Sequence, residues 1–382
     1  MRNLQREDGF TITEMMVSTA VVLLVLAGAL TTFRNALAIN DSAAQLADAN
    51  QNLRAGTNQL IKDLLMAGRM IGTEGIAMPT GPGITFARPG PVAGLNFPEI
   101  ADGDATLQLP SITTGYQLGP TIRNSRTDMI TIMTVDEFMP IVTTPATDPV
   151  SPIQGTISPD GTYVQMAAAS LWIDGDPAGD TPAIKPGDLV YYMSSNGNAI
   201  QTVTSVDKVL HRIYFVSGDA VNDFFHFNQP NATDPPPAAC PCASARPLGA
   251  MKGLAANAVW TAPVTLFKAM MITYYVDNTL TPGTPRLTRV LNHFAPQALA
   301  GVVEDVDLTY DLYDGAANPT AVTFLPQLIN GVTYTANQIR KVNIHVGVRS
   351  ETISKPTQDY VRNHITTSVN VRSLAAVDKY PS

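Results

Sequence analysis

Cysteine is nearly absent: the 382 residues include two, Cys240 and Cys242, both in Ala239-Cys240-Pro241-Cys242. Two thiols are too few for a disulfide scaffold or a four-ligand zinc site. In an oxidising compartment they could close a tight, strained C-x-C ring or cross-link to a partner, and both options stay open. Charge is scarce too. Asp, Glu, Lys and Arg make up 15% of the chain, with 24 basic residues against 32 acidic ones and a net charge of −8. The basic residues are scattered without a block, which argues against a nucleic-acid surface and for a solvated acidic exterior. Catalytic motifs are missing as well. The chain has no G-x-S-x-G elbow, no phosphate loop and no H-E-x-x-H, and His211, His226, His293, His345 and His364 show no ligand spacing. No enzymatic activity, cofactor or metal site is expected. The best acidic cluster, Asp174, Asp176 and Asp180, sits in a loop that could hold calcium. It lacks the bidentate Glu of an EF-hand, Pro177 spoils that register, and a solvated turn is the simpler reading.

Apolar material is plentiful: 45% of the residues are hydrophobic, enough for a packed core. One run stands apart. Met15 to Phe33 carries no charge, and at 1.5 Å per residue it comes close to the roughly 30 Å thickness of bilayer hydrocarbon. This predicts one transmembrane helix with a carboxylate, Glu14, at its mouth, a costly placement that calls for a partner. The leader Met1 to Gly9 is polar and has no apolar core of its own. An ordinary secretory signal places its cleavage site after the apolar region, whereas a cut at Gly9 would leave the apolar helix on the mature chain. Arg2, Arg6 and the free amine favour a cytoplasmic N-terminus. Beyond Arg34 no Pro intervenes, and Ile39, Leu46, Leu53 and Leu60 recur every seven residues beside Ala36, Ala43 and Ala47. The helix is therefore predicted to continue to Leu65 or Gly68 as an amphipathic half whose leucine stripe a folded domain covers. Gly28 with Thr31 and Thr32 is its weak spot, and Gly68 and Gly72 are its candidate stops.

Downstream the pattern turns to strands. Thr73 to about Pro159 is dense in Gly, Pro, Thr and Asp, interrupted by the apolar run Met129 to Val135. Leu189–Met193 after a Pro186-Gly187-Asp188 turn, Ile200–Val206 and Arg212–Val216 predict a meander. Asn228 to Pro247 is a Pro-rich loop, and Val264–Val276 is a long apolar strand or a bent strand pair. Three C-terminal segments alternate: Val306, Leu308, Tyr310, Leu312; then Val342, Ile344, Val346, Val348; then Ile365, Thr367, Val369, Val371. Their other faces hold Asp307, Asp311, Asn343, His345, Arg349, His364, Asn370 and Arg372, so acids and bases are expected to pair across a sheet, each exposed pair contributing under about 1 kcal/mol. His345 and His364 are expected near each other. Tyr191, Tyr192, Phe224, Phe225 and Trp172 fit core packing, with an exposed adhesive or subunit-contact patch as the alternative. The expected fold class is α+β, a long N-terminal helix packed on a C-terminal antiparallel β-sheet domain. The expected divisions are a leader 1–9, a helix 10–70 (transmembrane 12–33, amphipathic 34–68), a loop-rich region 71–160 and a β-rich domain 161–382 with the Pro-rich loop 228–247.

Short charged leader, Gly9, aromatic Phe10, then Glu14 five places into the mature chain: this arrangement resembles the class III leader of type IV prepilins and pseudopilins. Glu7 and Asp8 stand where that family usually has basic residues. Asn52-Leu53-Arg54-Ala55 and Ile61-Lys62-Asp63-Leu64-Leu65-Met66-Ala67-Gly68-Arg69-Met70-Ile71-Gly72 resemble the helix end of PilW-type minor pilins. So do Gly301–Tyr310, Ile339–Ser350 and Ile365–Ser373 in the C-terminal part. The resemblance implies a pilin-like fold, cleavage by prepilin peptidase between Gly9 and Phe10, and N-methylation of Phe10. It also implies that Glu14 neutralises the Phe10 amine of a neighbouring subunit and sets axial register. The implied role is a minor pilin of a type IV pilus or its initiating tip complex, with links to adhesion and twitching motility. The precursor would cross the inner membrane once, its domain in the periplasm, and reach the cell surface in the filament. Implied partners are the peptidase, other major and minor pilins, the inner-membrane assembly platform and the membrane itself. A J-type pseudopilin of type II secretion and a pilus-tip adhesin are the alternatives.

Overall fold

The computed structural model describes residues 10–72, 75–78, 85–92, 95–97, 108–136, 154–158, 162–166, 173, 184–194, 197–229, 263–279, 283–354 and 358–371. A single helix, α1, spans Ile12–Leu65, 54 residues, or about 80 Å. Thr11 opens it with a reciprocal cap: the Glu14 N–H donates to Thr11 Oγ1 at 3.3 Å and the Thr11 N–H donates to Glu14 Oε2 at 3.0 Å. Two donors near the helix start are thereby satisfied. The helix passes Gly28 unbroken. Hydroxyls in the apolar stretch turn onto the helix's own backbone, Thr19 to the Met15 carbonyl at 2.6 Å, Thr31 to Ala27 at 2.8 Å and Thr32 to Gly28 at 3.0 Å. An apolar surrounding therefore need not solvate them. Past the C-cap Met66, Gly68 takes a φ of +71°, a left-handed turn that favours glycine. Its N–H donates to the Met133 carbonyl at 2.8 Å, which ties the end of the helix to the sheet.

The expected long apolar strand forms as one piece, Pro263–Asp277, and organises the larger sheet. Four antiparallel partners line its edges: Gln154–Ile157, Ile130–Val135, Leu189–Ser194 and Arg286–Leu291. A meander does not form. Leu189–Ser194 and Gly197–Thr202 make one hairpin at one end of the sheet, while Ser205–Asp207 and Arg212–Tyr214 make another at the opposite end, reached through Tyr163–Met166. The reason is the central strand. Each of its edges needs backbone partners along its whole length, so the first hairpin is held there and the second pairs elsewhere.

A second, three-stranded antiparallel sheet joins Val303–Leu312, Ile339–Ser354 and Asp359–Asn370. Its register sets Leu308 beside Ile344 and Thr367, and Tyr310 beside Val342 and Val369. The alternation expected from the sequence thus brings the named apolar positions to one face. That face is buried on the first two strands, whereas Ile365 and Thr367 on the outer strand are half-buried.

The helix meets both sheets in one core. Its buried positions, Ala49, Leu53, Gly56, Thr57, Leu60, Asp63 and Leu64, recur at three- and four-residue steps, the period of one helix face. They pack with Ile130, Ile132, Ile272, Leu287, Ala300 and the inner face of the C-terminal sheet. Gly56 permits the close approach, since a Cβ there would stand 3.0 Å from the Ala300 Cβ. The leucine stripe is covered only in part. Leu53 and Leu60 are 3% and 1% exposed, but Ile39 and Leu46 are 63% and 37% exposed. The expected cover over the whole stripe is corrected: the end of the C-terminal sheet reaches α1 at Ser42, whose Oγ lies 2.8 Å from Ser354 Oγ, but it leaves Leu46 and Ile39 exposed. Leu60→Ala should lower the unfolding free energy of the full chain in detergent by about 2–5 kcal/mol. Leu46→Ala should change it by less than about 0.5 kcal/mol. Urea titration reads both, and an equal loss at Leu46 would contradict the boundary drawn here.

Candidate functional site

From Phe10 to Leu46 the helix carries its apolar side chains outward. Phe10, Ile12, Leu24, Leu30, Phe33, Leu37 and Ile39 are all exposed. Among the described residues this is the one helix long and apolar enough to cross a membrane, by length and composition. So continuous an apolar surface calls for lipid or protein around it rather than water. Glu14 lies in its first turn. Its Oε2 accepts from both the Thr11 N–H and the Thr11 hydroxyl, the latter at 2.9 Å, at the end of the helix whose dipole favours a negative charge. Phe10 is 83% exposed just before the cap. Gly9, Cys240, Cys242, Asp174, Asp176, Asp180 and Trp172 lie outside the described residues.

A buried polar joint fixes the helix on the domain. Asp63 Oδ2 accepts from the Tyr274 hydroxyl at 2.5 Å and from Arg289 Nε at 2.7 Å, while Gln59 Nε2 donates to Oδ1 at 3.3 Å. Tyr274 and Arg289 sit opposite each other on adjacent strands, so one carboxylate grips two strands at once. Burial, then the Asp63 charge, push the Tyr274 phenol well above its ordinary range, so it stays a donor. Removing one partner would leave a buried charge uncompensated. Sequence reasoning passed over this role, although the signal was present: Asp63 falls three residues after Leu60, an acid inside the apolar stripe.

On the polar face of the C-terminal sheet, charges do pair across strands. Glu304 meets Arg349 Nε at 3.1 Å, Arg362 Nε at 2.9 Å and Arg123 Nη1 at 3.3 Å, and Asp311 meets Lys341 at 3.0 Å. His345 and His364 stand with ring centroids 5.4 Å apart. Among the described residues no group of three His, Cys, Asp or Glu is placed to hold a metal ion. The aromatic patch does not form as an exposed surface. Tyr191, Tyr192 and Phe225 are buried, Tyr192 edge-on to Phe215 at 5.7 Å, because their strand and loop lie beneath the surface of the larger sheet. Phe224 alone of the described members stays partly exposed, stacked on His293 at 5.9 Å.

No family model matches the chain, and no curated protein matches it. Among solved structures, a type IV-like pilin from Thermus thermophilus is similar over 50% of this chain and 86% of that chain, at 11% identity and a TM-score of 0.17. At that score the likeness carries no argument about fold or function.

Asp128 closes the seam between the two sheets. Its Oδ1 accepts from the Gln117 N–H and its Oδ2 from the Leu308 N–H, both at 2.8 Å. Burial pushes its carboxyl up to about 6, against those two hydrogen bonds and with the help of the Asp307 and Asp305 charges. The folded chain therefore binds this proton more tightly than the unfolded one, and its stability should fall as pH rises from about 4 to about 6. The expected contribution is on the order of 2–3 kcal/mol. Asp128→Asn should flatten that part of the pH profile in thermal melts. An unchanged slope would assign it to other groups.

Proposed function

We propose that the chain is a minor pilin, a structural subunit of a type IV pilus or of the complex that initiates one. The carrying observation is Glu14, one turn into a helix whose large apolar side chains from Phe10 to Leu46 stay exposed in the single chain. In this reading prepilin peptidase cuts between Gly9 and Phe10, and the new Phe10 amine is methylated. The precursor crosses the inner membrane once, with a cytoplasmic N-terminus and a periplasmic domain. Assembly exchanges lipid contacts around 12–33 for contacts with the helices of other pilins. Ile39 and Leu46, uncovered in the single chain, then find cover on neighbours.

Glu14 supplies the register. Its Oε2 is engaged by Thr11, which leaves Oε1 to meet the Phe10 amine of the next subunit. In the low dielectric of a helix bundle such a pair holds only in good geometry, so misplaced subunits are selected against. Catalysis has no part in this scheme. Glu14→Ala should leave the cut at Gly9 intact and abolish recovery of the chain in sheared surface filaments, scored by immunoblot against the membrane fraction. Recovery at the parent level would remove the pairing from the mechanism.

A further inference from the structure

The two outer edges of the C-terminal sheet differ. On Val303–Leu312 the outward backbone groups are spent within the chain. The Val306 carbonyl accepts from the Asp128 N–H and the Leu308 N–H donates to Asp128 Oδ2, both at 2.8 Å. Tyr310 exchanges two bonds with Val322, and the Leu312 N–H donates to the Pro319 carbonyl at 2.8 Å. The outer edge of Asp359–Asn370 has no such cover. The Val371 N–H donates to the Arg340 carbonyl at 2.9 Å. The alternation of an antiparallel ladder then turns the backbone of Asn363, Ile365, Thr367 and Val369 inward, and that of His364, Thr366 and Ser368 outward. Those last three residues are exposed, and no strand pairs with their edge among the described residues. Natural sheets blunt a long edge with proline, lysine or a bulge. This strand of 12 residues has no proline, lysine or glycine, and its register is unbroken from Arg362 to Asn370. The ends of the larger sheet are guarded by contrast. Ser205–Asp207 is three residues long, and at Thr202 the Asn228 side chain takes the N–H at 3.0 Å and the carbonyl at 2.7 Å.

We propose that this edge accepts a β-strand from a different protein, paired through the N–H and carbonyl groups of His364, Thr366 and Ser368. The direction of α1 excludes a second copy in antiparallel pairing. Ser42 lies beside Ser354, which pairs with Asp359, and Asn50 accepts from Asn363. Eight helix residues and four strand residues each advance about 12–13 Å, so α1 and this strand run the same way. Antiparallel pairing of two copies would point their helices in opposite directions, which anchors entering one membrane from the same side cannot do. That exclusion rests on reading α1 as a membrane anchor; the open edge does not. The flanking side chains define the strand it fits. On the helix side Ile365 and Thr367 are half-buried and offer an apolar neighbour, while His364, Thr366 and Ser368 face solvent. Arg362 already holds Glu304 and Asp359, both at 2.9 Å. The fitting partner is therefore an uncharged strand with alternating apolar and polar residues, since a charge set on this edge would stay unpaired.

The test is photo-crosslinking of the full chain in membranes of the cells that make it, with a benzophenone side chain at position 364, 366 or 368 in turn and the products mapped by peptide mass spectrometry. All three are expected to reach one segment of one other protein, the contact moving two residues for each two-residue step. Thr366→Pro removes one outward N–H and spares the inner ladder. It should reduce the crosslinks from 364 and 368 about tenfold, with the melting temperature in detergent unchanged, whereas Thr366→Ala should leave them as they were. The stepwise pattern is read without the proline variant, so it decides the matter even where that variant fails to fold. Crosslinks within the chain, to a second copy, scattered over several proteins or absent, and a stepwise yield indifferent to a folded Thr366→Pro, would each overturn the proposal. None of these readouts depends on the cut at Gly9 or on recovery in filaments, so failure here is separate from failure of the pilin reading.

Discussion

One continuous helix has to satisfy two different surroundings, and the rest of the molecule is arranged around the change from one to the other. Up to Leu46 its apolar side chains point away from the chain's own domain. From Ala49 on, one face is gripped by both sheets. An amphipathic helix can slide along a greasy groove, because hydrophobic contact is non-directional. Asp63 removes that freedom: its carboxylate must meet Tyr274 and Arg289 together, and a shift by one residue would lose both. Gly56, pressed on Ala300, and Gly68, bonded to Met133, fix the same register on either side of it.

The domain behind this joint is built to be stiff. Pro263–Asp277 pairs its backbone with four strands, and Asp128, just before Ile130–Val135, ties the larger sheet to the C-terminal one through the Leu308 N–H and to the 114–118 loop through the Gln117 N–H. Glu304, ringed by three arginines, crosslinks the three C-terminal strands and the 121–126 turn on the outer face. Forces applied along the helix would therefore be carried into the domain through a polar joint and a continuous core.

Much of this was legible in the residues. The helix ends at Leu65, one of the two ends expected for it, the C-terminal strands turn their alternating apolar positions to one face, and the charges of that sheet meet across strands. Period-two and period-3.6 patterns are local, so sequence carries them well. The failures were non-local. Which hairpin would take which edge of Pro263–Asp277 depends on pairings more than sixty residues apart in the chain, as between Leu189–Ser194 and that strand, and no local pattern encodes them. How far the domain reaches along the helix is likewise set by where the C-terminal sheet ends, near Ser354. The role of Asp63 was not legible because its partners, Tyr274 and Arg289, lie on distant strands. Glu14 is the opposite case: its cap on Thr11 is wholly local, and its proposed role is wholly outside the chain.

The claim that organises this account is that the bare helix is a processed assembly element. Peptide mass spectrometry of sheared surface filaments, run beside the inner-membrane fraction, tests it most directly by reading the N-terminus of the chain. A methylated peptide beginning at Phe10 in the filaments is the predicted result. An uncut chain still beginning at Met1, with no Phe10 terminus in either fraction, would contradict it.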